Sequence, residues 1–425
     1  MSLNVRIGPA ATDRANFIAE ASLAAPPENG GAWKTIDAAG NVTPSQIDDV
    51  VRAMWRDGAF EAVDAAGNVT PAQFDDVDGE LRVSWHVAAL PAGEERTYEL
   101  RRADAAHDER RGIWLDDQGE NGRVVVYYGG ILQTIYHYGL PNYRPRFAPN
   151  VAPSGRAGSG VGATDGSQPK SITDDGPPDH TWHRSLWYAC GDLNGVDFYL
   201  EPAAMEQGYG PHVGTGYGRI VHRSFDWIVS GPVWGGFQQR AQWVAPDGRV
   251  LLDDVRRFRL YRLRGRVRLW DIEAEFTPPG EPVTFGQTNE NALPLMRVAD
   301  IIDEWDGGTM SLSTGATGSP NCFGQRAAWA DCSGPFTRAI GQEPEIFGIA
   351  MLDHPSNRNH PSAWFVRGYG PVGTNLPFFD GALTLARGET WELRHRLYIH
   401  QGYAEEGGVA GRFDEYANPA PATVA

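Results

Sequence analysis

Cysteine is scarce in this chain. Three thiols among 425 residues, Cys190, Cys322 and Cys332, are too few and too scattered for a disulfide framework or a zinc ribbon, and they suit a reducing compartment. They read as buried free thiols. Basic charge is short as well: 37 Lys and Arg face 54 Asp and Glu, a formal net charge of −17. General attraction to nucleic acid or to an anionic membrane is therefore disfavoured. Long apolar runs are missing too. The most apolar stretch, Val124 to Leu140, is interrupted by Gln133, His137 and a pair of glycines; it reads as two strands around Gly129-Gly130 and not as a membrane span. The N-terminal residues MSLNVRIGPAATDRANF lack a basic stretch followed by an apolar core, so no secretory signal is expected and a cytoplasmic protein is. Gly208 to Gly210 and Gly214 to Gly218 lack the preceding strand, the following helix and the closing Lys-Ser/Thr of a phosphate loop. Neither G-x-S-x-G nor H-E-x-x-H occurs, which leaves the commonest hydrolase and zincin mechanisms without support.

Glycine and proline are plentiful, 51 and 30 residues without a period, which disfavours long helices and favours short strands joined by turns. IDAAGNVTPSQIDDV at Ile36 to Val50 returns as VDAAGNVTPAQFDDV at Val63 to Val77, and its Asp-Ala-Ala-Gly-Asn core is a hairpin-turn sequence. Val83, Trp85 and Val87 alternate with polar residues as in a half-buried strand, and Tyr98 to Arg101 suggests its partner after the turn Pro91-Ala92-Gly93. Further strand patterns recur at Arg184 to Tyr188, Val250 to Leu252, Phe258 to Leu263, Val267 to Phe276, Ile346 to Leu352 and Trp391 to Ile399. The expected fold is all-β: a small N-terminal β-sandwich with a duplicated hairpin over 1–112, then a large antiparallel β-sandwich, supersandwich-like, over 113–425. Ser154 to Pro178 is a long loop rich in Gly, Ser, Asp and Pro, read as a lid over a site.

Two segments concentrate chemistry. In DHTWHRSLWYACGDLNGVDFY, Asp179 to Tyr199, a strand from Thr181 to Cys190 would put His183, Ser185 and Trp187 on one face and Arg184, Leu186 and Tyr188 on the other. His180 and His183 would then point oppositely, so a divalent metal shared by them requires His180 on a bent loop. Hydrogen bonding or proton transfer by these histidines is preferred. The second segment, GIAMLDHPSNRNHPSAWFVRGY from Gly348, places Asp353 and His354 at a strand end and Trp364, Arg367 and Tyr369 shortly after. Arginine can fork onto vicinal hydroxyls and aromatic faces can stack on sugar rings; the bland account is a turn held by Asx hydrogen bonds. Seven arginines between Arg256 and Arg268, around a turn at Arg264 to Arg266, read as a solvated hairpin face paired with Asp271, Glu273 and Glu275.

With these blocks, and with RPRF at Arg144, GRIVHRSF at Gly218, FGQTNEN at Phe285, AAWADCSGP at Ala327 and LARGETWELRHRLYIHQG at Leu385, the chain from about Ala88 to Gly402 resembles the PmoA-like family. That family's label names a methane monooxygenase subunit, which does not fit this chain. It departs from the family where Asp179-His180-Thr181-Trp182-His183 stands for His-Pro-His-His and where Gly286 to Asn291 loses an aspartate and a lysine. The N-terminal repeat is similar to the β-sandwich start of bacterial proteins linked to plant-polysaccharide breakdown. The resemblance implies carbohydrate catabolism.

The leading expectation is a carbohydrate-active enzyme that cleaves or rearranges a glycoside, a keto-glycoside included, by metal-independent acid–base chemistry such as β-elimination. His183, Arg367 and Tyr369 or His222 would serve as base, oxyanion donor and acid. Substrate contacts are expected from His180, Arg184, Trp187, Asp192, Asn194, Asp331, Asp353, His354, Trp364 and Asn375. The alternatives are a non-catalytic carbohydrate-binding protein and a two-carboxylate glycoside hydrolase using Glu290, Asp331 and Asp353. No cofactor is expected, with a divalent metal on His180 and His183 as the other option. The partner is a small sugar or glycoside, not nucleic acid or membrane, and self-association is left open. The two segments should line one concave sheet face.

Overall fold

A computed structural model describes residues 3–22, 34–36, 42–44, 59–77, 80–103, 112–140, 142–153, 171–214, 216–336 and 343–424. The strands in chain order are β1 (Leu3–Ile7), β2 (Arg14–Ser22), β3 (Lys34–Ile36), β4 (Val42–Pro44), β5 (Phe60–Asp64), β6 (Val69–Val77), β7 (Glu80–Leu90), β8 (Arg96–Arg102), β9 (Ile113–Gln118), β10 (Arg123–Tyr128), β11 (Ile131–His137), β12 (Arg146–Asn150), β13 (Leu186–Cys190) and β14 (Arg219–Val229). They continue as β15 (Trp234–Val244), β16 (Val250–Tyr261), β17 (Arg268–Thr277), β18 (Val283–Phe285), β19 (Asn291–Arg297), β20 (Thr309–Leu312), β21 (Trp329–Phe336), β22 (Glu345–Asp353), β23 (Trp364–Val366), β24 (Pro371–Thr374), β25 (Leu383–Leu385), β26 (Trp391–Gln401) and β27 (Ala422–Val424). The protein is all-β. It divides into two compact units, one of Met1–Gly112, Gly231–Trp234 and Asn418–Ala425, the other of Ile113–Ser230 and Gly235–Ala417. Among the described residues no helix is long and apolar enough to cross a membrane.

In the first unit seven strands form one sheet in the order β2-β7-β6-β5-β8-β1-β27. The C-terminal strand belongs here because Ala422, Thr423 and Val424 pair antiparallel with β1. The second copy of the repeat makes the β5–β6 hairpin. Asp64 Oδ1 accepts from the backbone N–H of Ala66 and Asn68, and Gly67 supplies the left-handed turn position at φ 80°. The first copy has the same register, since Ile36 pairs with Val42 as Val63 pairs with Val69; its turn lies outside the described residues. The strand after Pro91-Ala92-Gly93 does not pair with β7 as the hairpin reading expects. Both edges of β7 are taken by β2 and β6, so β8 crosses to pair with β1 and β5.

The second unit is built on two eight-stranded sheets, ordered β23-β24-β19-β13-β12-β11-β10-β9 and β14-β15-β16-β17-β26-β22-β21-β20. Gly129 and Gly130, at φ 58° and 77°, form the turn between β10 and β11. The arginine-rich β16–β17 hairpin is only partly solvated. Arg257 pairs outward with Glu273 and Glu275, whereas Arg256 is buried against Asp254 and Arg268 lies inside against Gln133. Alternation in these strands sends apolar side chains inward, where Phe147 from the first sheet meets Phe258 at 4.5 Å, and Phe258 meets Phe237 at 5.5 Å and Trp270 at 5.3 Å. This aromatic chain joins the two sheets into one core. Phe258→Ala should therefore lower stability to urea by about 3–5 kcal/mol with an unchanged denaturant slope, whereas Phe258→Leu should cost less than half of that.

Candidate functional site

The approach to β13 is bent, not extended. Gly176 N–H donates to His183 O at 2.8 Å, His180 N–H to Pro177 O at 3.1 Å and His183 N–H to His180 O at 2.9 Å. Gly176 sits at φ 68° with Thr181 O 3.3 Å from where a Cβ would stand, so a side chain there would strain the turn. Regular pairing starts only at Leu186, and the strand expected from Thr181 is a turn up to that point. The consequence is chemical: His180 and His183, which a strand would separate, stack with ring centroids 4.6 Å apart.

Arg297 closes β19, a strand whose seven residues are all buried, and is itself 1% exposed. Its Nη2 donates to Asp179 Oδ2 at 2.9 Å and to Asp300 Oδ1 at 3.4 Å, its Nη1 faces His183 Nδ1 at 3.4 Å, and its guanidinium carbon lies 4.9 Å from the Tyr369 ring centre. A guanidinium can only donate, so His183 Nδ1 must accept and the proton sits on Nε2, directed at Tyr199 Oη 3.1 Å away. His183 is 3% exposed. Burial first, and then the charges of His180, Arg297 and Arg144, push its pKa well below the ordinary histidine value. Burial pushes the Tyr199 phenol well up, with Glu290 and Tyr369 adding to it, so this hydroxyl keeps its proton.

His180 is placed differently. Its Nδ1 donates to Asp179 Oδ2 at 2.9 Å, its ring stacks on Tyr369 at 5.0 Å and 7°, and it is only partly buried. Burial raises the Asp179 carboxyl, but the His180 hydrogen bond and the Arg297 charge outweigh it and hold the pKa below its usual value. An ionised carboxylate on Nδ1 leaves Nε2 as the basic nitrogen. The expectation that His183 is the base is corrected here: its two nitrogens face Arg297 and Tyr199, and the available imidazole nitrogen belongs to His180.

Glu290 reaches the same cluster from the loop before β19. Asn291 Nδ2 donates to Thr288 O at 2.9 Å and to Asn375 Oδ1 at 3.0 Å, and Asn375 Nδ2 donates to the carbonyls of Thr288 and Asn289, fixing the loop. Burial raises the Glu290 pKa, opposed by His212, whose Nε2 is 3.9 Å from Oε2, and by His180. Two aromatic rings are left open at the margin. Trp305, 74% exposed, lies 5.4 Å from Tyr369, and Tyr209, 46% exposed, lies 4.6 Å from Trp182, which in turn packs its edge on His180.

The sequence candidates thus separate into groups. His180, His183, Tyr369, Glu290 and Trp187, which is 5.6 Å from His183, come together. Arg367, two residues from Tyr369, lays its guanidinium on Phe323 and Phe365 at 4.0 and 4.7 Å and lowers the Tyr369 pKa that burial raises. Arg184 pairs with Glu201 and Asp175 beneath the turn. Asn375 acts on the loop backbone and caps the helix Leu376–Asp380. Asp192 and Asn194 hold turns, accepting from Gly195 N–H and Thr284 N–H. His222 sits between Tyr138 and Phe225 at 4.3 and 4.5 Å. Trp364 is core, its indole donating to Ala327 O. Asp331 of β21 is bonded to His400 of β26.

The second segment is divided along its length. Tyr369 joins the histidines, but Asp353 is consumed by its own turn, Oδ1 accepting from Asn357 Nδ2 at 2.7 Å and Oδ2 facing His360 Nδ1 at 2.8 Å and Ser362 N–H at 2.9 Å. His354 bonds Ser356 in the same turn. Of the two segments expected to line one concave face, the Tyr369 end is brought against His180, whereas Asp353 and His354 bond within their own turn. Of the loop read as a lid, 154–170 lies outside the described residues. Sequence reasoning missed Arg297, Tyr209 and Trp305 as members of the site. For Arg297 a signal existed, a charge terminating the otherwise uncharged run Asn291 to Met296.

Comparison with known families gives one result: residues 123–414 match a family of unknown function, DUF6807. The chain belongs to that family. The PmoA-like identification is thereby corrected, because the blocks from Arg144 to Gly402 lie inside the DUF6807 match and no methane oxygenase family matches. No curated protein matches the chain.

One consequence for this DUF6807 member concerns pH. His395 of β26 is fully buried, 3.8 Å from Asp353 Oδ1 and 3.3 Å from Thr374 Oγ1, and burial pushes its pKa to about 4. Below the ordinary value of 6.5 the unfolded chain takes up a proton that the folded chain refuses, so stability falls as pH drops from about 6.5 to 4. The loss from this group is on the order of 3 kcal/mol. Urea denaturation at stepped pH should show a shallower acid slope in His395→Gln than in the parent protein.

Proposed function

We propose that the protein is a carbohydrate-active enzyme acting on a sugar or glycoside, keto-glycosides included, with His180 as general base. The observation that carries this reading is the Asp179–His180 pair flanked by the open rings of Tyr209 and Trp305, because aromatic faces take the C–H face of a sugar while the oriented imidazole takes a proton. Glu290, with its pKa raised, is suited to giving a proton back to the leaving oxygen. Tyr369, beside the Arg297 guanidinium, is suited to donating to a developing enolate oxygen. Elimination next to a ketone uses these three roles together, without a metal or redox cofactor. The reading places the protein in the cytoplasm, in sugar catabolism.

A non-catalytic sugar-binding protein is the second reading, favoured by the same open rings. The two-carboxylate hydrolase reading loses support because Asp353 is committed to its turn and Asp331 to His400 and Ser333. Purified protein incubated with 3-keto-glycosides and their parent glycosides, with products read by mass spectrometry, separates the readings. Turnover should fall by about 10²- to 10⁴-fold in His180→Ala and in Asp179→Asn, with sugar binding retained. Turnover unchanged in His180→Ala would remove the proposed base, and binding without product in the parent protein would establish the second reading.

A further inference from the structure

A cavity of about 710 Å³ opens on the face of β20 and β21 that looks away from the sandwich core, roofed by the segment Tyr403–Ala410. Its size is in the range of small-molecule sites. Thr309 and Ser311 alternate along the edge strand β20 and, with Ser313 just beyond it, line the cavity with hydroxyl side chains. Trp329 and Tyr403 supply aromatic surface, and no aromatic ring among the described residues packs on either of them within the spacings that join the core rings.

The sequence builds this space. Gly407 passes so close to His400 that a Cβ would stand 2.1 Å from Nδ1, and Gly348 so close to Ser333 that a Cβ would stand 2.3 Å from Oγ. Tyr398 Oη pins the roof by donating to Gly407 O at 2.9 Å. At the floor Asp331, 1% exposed, holds His400 Nε2 at 2.9 Å on one oxygen and the Ser333 hydroxyl on the other. Both oxygens of that carboxylate are thus committed to the floor, which they hold rigid beneath the cavity. No lysine or arginine lines the cavity, which disfavours an anion; Glu405 also lines it, so a cation is the charged alternative that the choline comparison tests.

We infer that this cavity is a binding site for a neutral saccharide. Its hydroxyls and the Glu405 carboxylate hydrogen-bond the sugar hydroxyls, and Trp329 and Tyr403 take the apolar ring face. The inference rests on the chemistry of this cavity and does not depend on the role given to His180.

Titration calorimetry with maltotriose, cellotriose and xylotriose, and with choline and galacturonate as charged comparisons, tests it. At least one neutral trisaccharide should bind the full chain and its His180→Ala variant equally. Trp329→Ala should weaken that binding by about tenfold or more, and so should Ser311→Trp, which fills the cavity from the exposed edge strand and leaves the buried floor intact. Circular dichroism on both variants separates lost binding from lost folding. The inference fails if none of the three trisaccharides binds, if binding survives Ser311→Trp in a folded protein, if it disappears in His180→Ala, or if choline or galacturonate binds in preference.

Discussion

The buried guanidinium of Arg297 is the constraint on which the rest of the site depends. A charge at the end of an otherwise uncharged, fully buried strand is costly to desolvate and persists only where partners surround it. Here those partners are Asp179, Asp300, His183 and the Tyr369 ring, drawn from three separate stretches of chain. Because a guanidinium has donors and no acceptor, each partner's state follows: Asp179 is ionised, His183 is neutral with its proton on Nε2, and His180 is left to donate from Nδ1 to Asp179. One cation thus decides which imidazole is locked into the protein and which faces outward.

The same logic of satisfied buried charge explains why other polar candidates are structural. Asp353 lies fully buried and is met by Asn357, His360 and Ser362, so that turn is closed around its carboxylate. His395 behind it stays neutral because burial outweighs the attraction of Asp353. Such groups fix the turn between β22 and β23. The groups with open valence are those that local packing leaves half-satisfied, His180 and Glu290.

Much of the fold could be read from residue patterns. Alternation and paired glycines located the β10–β11 hairpin, and the Asp-Ala-Ala-Gly-Asn repeat located β5–β6, because period and turn chemistry are local. The pairing of β8 was not legible, since which edge of a sheet is free depends on strands distant in sequence. In the site, the Asp179 to Tyr199 block stood out by composition, but its geometry did not. A strand reading set His180 and His183 on opposite faces, and only the long-range hydrogen bonds that begin the strand at Leu186 allow the bend that stacks them. Tyr209 and Trp305 were illegible as members of the site because a lone exposed aromatic in a loop carries no local pattern.

The site turns on Arg297 holding His183 as a neutral acceptor. Long-range nitrogen–proton NMR on histidine-labelled protein reads the protonation state and tautomer of each imidazole directly. His183 should remain neutral, with its proton on Nε2, as pH is lowered through the ordinary histidine value. A His183 that becomes an imidazolium near 6.5, or that carries its neutral proton on Nδ1, would contradict the arrangement on which the site is built.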